Sequence, residues 1–331
     1  MSLIGAYQEI QKLDISQVNE AVRLIVEHNL PREAIPTEFL NSADVWSALL
    51  ENMPLTAMIR NLGKMSSVGV LDSMSEGAKK IINTITNEDL LQKARIHPMA
   101  VLDALKVYNL GRGVKGSLTW YPNQQIVDAL DSAFYKSFKF VKPTGKNLLL
   151  AVDCSGSMTS SISGSSVLSC RDAAAALALV TANVERNYEV VGFSSGAGWS
   201  APAKRYAYGS ASGLKELKIS PSMRLDAVAN VMAKLDWGGT DASLPAQYAM
   251  ATKKKIDGFI TITDNETWAG VMQPSEALVR YRQQSGCDAK QVVVGMSASN
   301  FSIADPNDVG QMDVVGFDSA CPAVIADFFR G

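Results

Sequence analysis

The sequence predicts two parts of different class: helical repeats, all-α, over residues 1–142, and a doubly wound, mostly parallel α/β sheet over residues 143–331. Three observations predict this. Apolar residues recur at three- and four-residue spacing through the first part, the period of a helix with one buried face. After Lys142-Pro143-Thr144-Gly145-Lys146, short strand-like and helix-like runs alternate, as they do in βαβ units. Finally, Leu148 to Val152 is apolar without interruption, which suits a parallel strand covered on both faces.

Each element follows from the same rules. Ile15, Val18, Val22 and Ile25 form the first clear stripe, with Asp14 or Ser16 able to cap it. Pro54, Pro98 and Pro122 mark later helix starts, where the missing N–H costs nothing. In the last of these helices Ile126, Leu130, Ala133 and Phe134 make the buried face. Short helices joined by polar turns suggest a solenoid, although no clean repeat period is visible. In the second part the predicted order is a strand ending at Asp153, a helix over Arg171–Glu185, and a strand over Tyr188–Phe193. A short edge strand at Tyr206–Tyr208, a helix around Ser222–Leu235 and a strand over Phe259–Asp264 follow. A helix over Pro274–Gln284, strands over Gln291–Met296 and Asp313–Phe317, and a helix over Pro322–Phe329 complete the set.

Composition narrows the function classes. With 331 residues, 47% hydrophobic and 19% charged, the chain is expected to be soluble and to hold two cores. Its formal charge of −2 rules out a surface that is basic all over, so any nucleic-acid contact must be a local patch. Cys154, Cys170, Cys287 and Cys321 form no Cys-x-x-Cys pair and no secretory segment is visible, which points to reduced thiols and a cytoplasmic protein. The longest mostly apolar stretch, Ala173 to Ala182, is half a membrane span, so no membrane partner is expected.

The strand ending in Asp153 runs into Asp153-Cys154-Ser155-Gly156-Ser157, which puts a carboxylate and two hydroxyls on one loop at the carboxyl end of a strand, where α/β sheets bind ligands. Such hard oxygen donors suit Mg2+, or Mn2+, better than zinc. Gly238-Gly239-Thr240-Asp241 offers another hydroxyl, and the second apolar strand again ends in a carboxylate, Asp264. In type and order Asp153, Ser155, Ser157, Thr240 and Asp264 resemble the metal-ion-dependent adhesion site (MIDAS) of von Willebrand factor A domains. In that arrangement Ser155, Ser157 and Thr240 ligate directly, Asp153 and Asp264 do so directly or through water, and an open position takes an acidic group from a partner. The plain alternative, Asp153 capping its own turn and the serines solvating a loop, leaves Thr240 and Asp264 as coincidences.

Other strings carry less. Gly111-Arg112-Gly113-Val114-Lys115-Gly116 spells a dinucleotide fingerprint, but it follows a helix instead of a strand. Gly192-Phe193-Ser194-Ser195-Gly196 spells a nucleophile elbow, but both histidines, His28 and His97, precede it. Hydrolysis is thereby disfavoured and no enzyme activity is expected. The basic residues Arg60, Lys64, Lys93, Arg95, His97, Arg112 and Lys115, with Trp120 and Tyr121 nearby, form a candidate RNA-binding set through phosphate contact and stacking. Solvated helix faces are the competing reading.

Longer strings carry a family resemblance. Met53 to Met65, Lys93 to Pro98, Ala133 to Lys136, Pro143 to Lys146, Gly238 to Asp241, Thr263 to Thr267 and Ile303 to Pro306 resemble the Ro autoantigen family of TROVE-domain RNA-binding proteins. The resemblance implies a ring of HEAT-like repeats closed against a von Willebrand factor A domain. It also implies binding of small non-coding Y RNA and of single-stranded ends of misfolded RNA, in RNA quality control, with an exoribonuclease such as polynucleotide phosphorylase as partner. That family's ring is longer than residues 1–142, so the chain is expected to cover only part of it, as a fragment or a shortened relative. A partial solenoid exposes apolar repeat surface, which predicts self-association or a partner. A second function fits as well: a protein-interaction module in which the metal captures an acidic partner residue and RNA binding is weak or lost.

Overall fold

Fourteen α-helices and a six-stranded sheet are seen among the residues that the computed structural model describes, which are 1–163, 167–194, 213–234, 239–264, 272–297, 303–316 and 320–331. Nine of the helices lie in one unit, Met1–Phe140, and the sheet with the other five in a second, Val141–Gly331.

The first unit runs α1 (Leu3–Ile10), α2 (Val18–His28), α3 (Ala43–Leu50), α4 (Leu55–Arg60), α5 (Leu62–Ser67), α6 (Glu76–Thr86), α7 (Glu88–Ala94), α8 (Pro98–Leu110) and α9 (Gln124–Ser137). Side-chain caps start several of them: Ser75 accepts the Ala78 N–H, Asn87 the Leu90 N–H and Asn123 the Gln125 N–H, each worth about 1 kcal/mol. Pro98 takes the first turn of α8, whereas Pro122 lies ahead of the Asn123 cap of α9. The expected stripe of α2 is displaced. Ile15 precedes the helix and is half-exposed, and the buried face is Ala21, Leu24 and Ile25. Asp14 instead closes a turn by accepting the Ser16 N–H and hydroxyl. The face of α9 is as predicted, and it packs against α6 and α8.

The second unit contains β1 (Leu148–Asp153), α10 (Cys170–Val184), β2 (Tyr188–Phe193), β3 (Leu214–Glu216), α11 (Leu225–Ala233), α12 (Leu244–Ala251), β4 (Gly258–Thr263), α13 (Pro274–Ser285), β5 (Lys290–Gly295), β6 (Gln311–Val315) and α14 (Cys321–Arg330). The sheet order is β3-β2-β1-β4-β5-β6, parallel except for β3, which pairs antiparallel with β2. Helices cover both faces of the central strands, so every residue of β1 and β4 is buried. On α10 a Ser169–Asp172 capping box begins a helix whose Ala173–Ala176 run has no exposed surface; small side chains let the helix lie close to the sheet.

Two elements differ from expectation and one expected strand lies outside the described residues. The edge strand described is Leu214–Glu216; Tyr206–Tyr208 lie outside the described residues. The last strand is shifted to Gln311–Val315. Helix α12 was not expected, because its buried face, Pro245, Ala246, Tyr248 and Ala249, is flanked by Leu244, Met250 and Ala251, which leaves no polar face to make the stripe readable.

Candidate metal centre

From β1 the chain runs outward to β2 on one side and β4 on the other, so β1 is the switch point of the sheet. The crevice beyond the carboxyl ends of such strands is the usual ligand site. Asp153 ends β1 and Asp264 follows β4. Thr240 approaches from the turn before α12 and donates its hydroxyl to Asp153 Oδ2 at 3.1 Å. On the other oxygen, Oδ1, Asp153 accepts the Ser155 N–H at 2.8 Å, and the hydroxyls of Ser155 and Ser157 lie 3.0 Å apart. The structure therefore brings Asp153, Ser155, Ser157 and Thr240 into one hydrogen-bonded cluster. Asp264 joins through Thr263, whose hydroxyl donates to Asp153 Oδ2 at 2.8 Å and stands 3.4 Å from Asp264 Oδ1.

Burial grades the site from inside outward. Asp153, Ser155 and Thr240 are buried, Asp264 is half-buried and Ser157 is exposed. Burial pushes the Asp153 carboxyl up to about 6, opposed by its hydrogen bonds from Ser155 and Thr263, and the nearby Asp264 charge raises it further. A buried carboxylate beside another negative charge is stabilised by a cation. Among the described residues no three acidic, histidine or cysteine side chains cluster; the centre depends on hydroxyls. Two carboxylates and three hydroxyls form a hard-oxygen donor set that fits Mg2+ or Mn2+.

Two parts of the site escaped the sequence reading. Thr263 is one; its signal is a hydroxyl residue with no exposed surface that ends β4 directly before Asp264. The other is the Asp241–Ser243 turn. Buried Asp241 accepts the Ser243 N–H and hydroxyl, and Gln247 donates to Ser243 Oγ at 2.7 Å, which fixes the loop that presents Thr240.

The basic residues of the helical unit belong to several different elements. Asn61 leaves helical geometry between α4 and α5, so Arg60 and Lys64 belong to separate helices. Lys64 donates to Asn41 Oδ1 at 2.8 Å, and with Lys115, Ser67, Ser117 and Thr119 it lines an open cleft of about 700 Å³. Lys115 and Arg112 are exposed on a loop that folds back on itself, closed by Gly113 N–H to Leu118 O and Trp120 N–H to Gly111 O, which removes any dinucleotide turn. Lys93 and Arg95 are exposed at the end of α7. His97 does not act as a cation there: its Nδ1 accepts the Met99 N–H as the cap of α8, and burial lowers its pKa to about 4. Trp120 is buried and donates to Tyr108 O, leaving Tyr121, 97% exposed, as the aromatic open to a base. In the supposed nucleophile elbow Ser194 is wholly buried, and Ser195 and Gly196 lie outside the described residues. No helix among the described residues is long and apolar enough to cross a membrane.

Comparison with known proteins extends this geometry. A family model described as the Ro60 von Willebrand factor A domain matches residues 147–329, and a TROVE domain model matches residues 15–110. Over 333 residues the chain is 43% identical to the RNA-binding protein RO60 of Caenorhabditis elegans, covering 100% of this chain and 48% of that protein. It is 38% identical over 313 residues to the RNA-binding protein RO60 of Deinococcus radiodurans, covering 94% of this chain and 56% of the relative. The chain thus spans about half the length of the curated relatives it matches. The crystal structure of the Deinococcus radiodurans RO (RSR) protein aligns with a TM-score of 0.88 at 36% identity, over 99% of this chain and 63% of that one. With both of its units matched in this way, the chain belongs to the Ro60 family of TROVE and von Willebrand factor A domain proteins.

Proposed function

We propose that the chain is a non-enzymatic RNA-binding protein. Its helical unit contacts the phosphates of small non-coding Y RNA or of single-stranded ends of misfolded RNA, and its A domain holds a divalent cation. The observation that carries the RNA reading is the likeness, along the whole chain, to two relatives named as RNA-binding proteins. Lys64 and Lys115, which line one polar cleft, support that reading, with Arg60, Lys93, Arg95 and Arg112 as further candidate cations and Tyr121 as a candidate stacking surface. On this reading the protein works in cytoplasmic RNA quality control, where an exoribonuclease is a fitting partner.

In the A domain Ser155, Ser157 and Thr240 would hold Mg2+ or Mn2+ directly, and Asp153 and Asp264 directly or through water. A bound cation there supplies an electrophilic position for an acidic group. Asp153 Oδ2 already accepts the hydroxyls of Thr240 and Thr263, so Asp153 would in addition orient one of the direct donors, Thr240. This geometry also favours a second reading, capture of an acidic residue of a protein partner.

One titration separates the two. Fluorescence anisotropy with an RNA hairpin bearing a single-stranded tail is expected to show binding that weakens steeply with salt. Lys64→Ala and Lys115→Ala should each lower the magnitude of the salt slope by about 0.7, the value for one lost single-strand phosphate contact. Indifference to RNA at low salt would overturn the RNA reading. Loss of capture of an acidic protein in Asp153→Ala, with RNA affinity unchanged, would favour the second.

A further inference from the structure

We propose that Thr263, which is not one of the five candidate ligands, is the positioning residue that holds Asp153 and Asp264 at the separation a small divalent cation requires. The inference rests on the metal reading above and deepens it. Thr263 is the last residue of β4 and has no exposed surface. Its hydroxyl lies between the two carboxylates of the site, 2.8 Å from Asp153 Oδ2 and 3.4 Å from Asp264 Oδ1. Its backbone is anchored: the carbonyl accepts the Met296 N–H at 2.8 Å just beyond β5, and β4 is paired on both sides. A donor that cannot move thus stands between two like charges that repel.

The consequence is selectivity. Mg2+ demands near-octahedral geometry at about 2.0–2.1 Å, whereas Ca2+ accepts looser shells at about 2.3–2.6 Å. Groups that orient ligands without touching the ion are commonly worth about 10–100-fold in affinity. With the Thr263 hydroxyl removed, Asp153 keeps the Thr240 hydroxyl and the Ser155 N–H, but the spacing of the two carboxylates is no longer set. The geometrically strict ion then loses more than the tolerant one.

The test is calorimetric titration of the full chain with MgCl2 and with CaCl2, for wild type, Thr263→Val and Thr263→Ser, alongside the melting temperature of each in chelator. Thr263→Val is expected to lose about tenfold or more in Mg2+ affinity and less in Ca2+ affinity, and Thr263→Ser, which keeps the hydroxyl, to restore the wild-type ratio. Should Thr263→Val not fold, Thr263→Ala carries the same comparison. An unchanged Mg2+ to Ca2+ ratio in the hydroxyl-less variant, or an equal loss in Thr263→Ser, overturns the inference while leaving the metal site standing. A wild-type protein that takes up neither ion overturns the metal reading and this inference together.

Discussion

Asp153 shows how one side chain can be unfavourable for the fold and yet suit the proposed cation site. Its carboxyl is buried at the end of β1, which raises its pKa to about 6 from an ordinary 3.8. The charged form is therefore penalised in the folded state. That penalty is full above pH 6 and vanishes once the pH has fallen below 3.8, where both states are protonated. Two pH units correspond to at most about 3 kcal/mol. In chelator, Asp153→Asn is expected to melt above wild type at pH 7, with the advantage shrinking as pH falls through 6 toward 4. Added Mg2+ should reverse the order, because the wild-type carboxylate then gains a counter-charge that the amide lacks. Equal melting temperatures at pH 7 in chelator would show that the carboxylate carries no burial penalty.

At the scale of elements, Gly63 in α5 sets a packing distance. A Cβ there would come within 2.6 Å of two carbons of the Trp120 indole. That ring cannot swing away, since it is buried, stacked on Tyr108 and donating to Tyr108 O. Alanine in a helix is favoured over glycine by about 1 kcal/mol, whereas overpacking a core costs about 1–3 kcal/mol. Gly63→Ala is therefore expected to lower stability in urea unfolding; a rise would show that the indole yields. Trp120 also marks what the sequence left unread. Beside Tyr121 it looked available to a base, yet it belongs to the core, because contacts made by distant residues such as Gly63 have no local signature. Periodicity made the face of α9, the strand β2 and the boundaries of α10 legible. Helix α12 had no stripe to read, and Arg60 and Lys64 looked one turn apart only because the break at Asn61 carries neither proline nor glycine. The five candidate donors were legible because they lie in strand-end or glycine-turn motifs, whereas Thr263, although it ends β4, reads like Thr261 as an ordinary strand residue.

For the molecule as a whole, the division into Met1–Phe140 and Val141–Gly331 has a thermodynamic consequence. Each unit closes its own core: α6, α8 and α9 pack together in the first, and Leu149, Ala151, Phe193, Phe259 and Tyr281 belong to one buried cluster in the second. A ligand stabilises only the cooperative unit that binds it, by about 2.7 kcal/mol at a hundred times its dissociation constant. For a unit of the size of the second, that corresponds to a rise of about 5–10 °C. Differential scanning calorimetry of the full chain is accordingly expected to show two transitions. Mg2+ at saturation should raise one of them by that amount and chelator should return it, while RNA should raise the other. The assignment can be checked within the same experiment, because Gly63→Ala should lower the RNA-responsive transition and Asp153→Asn should abolish the response of the metal-responsive one. A single transition raised equally by Mg2+ and by RNA would show that the two cores melt as one, and the separate placing of the two binding functions would fail with it.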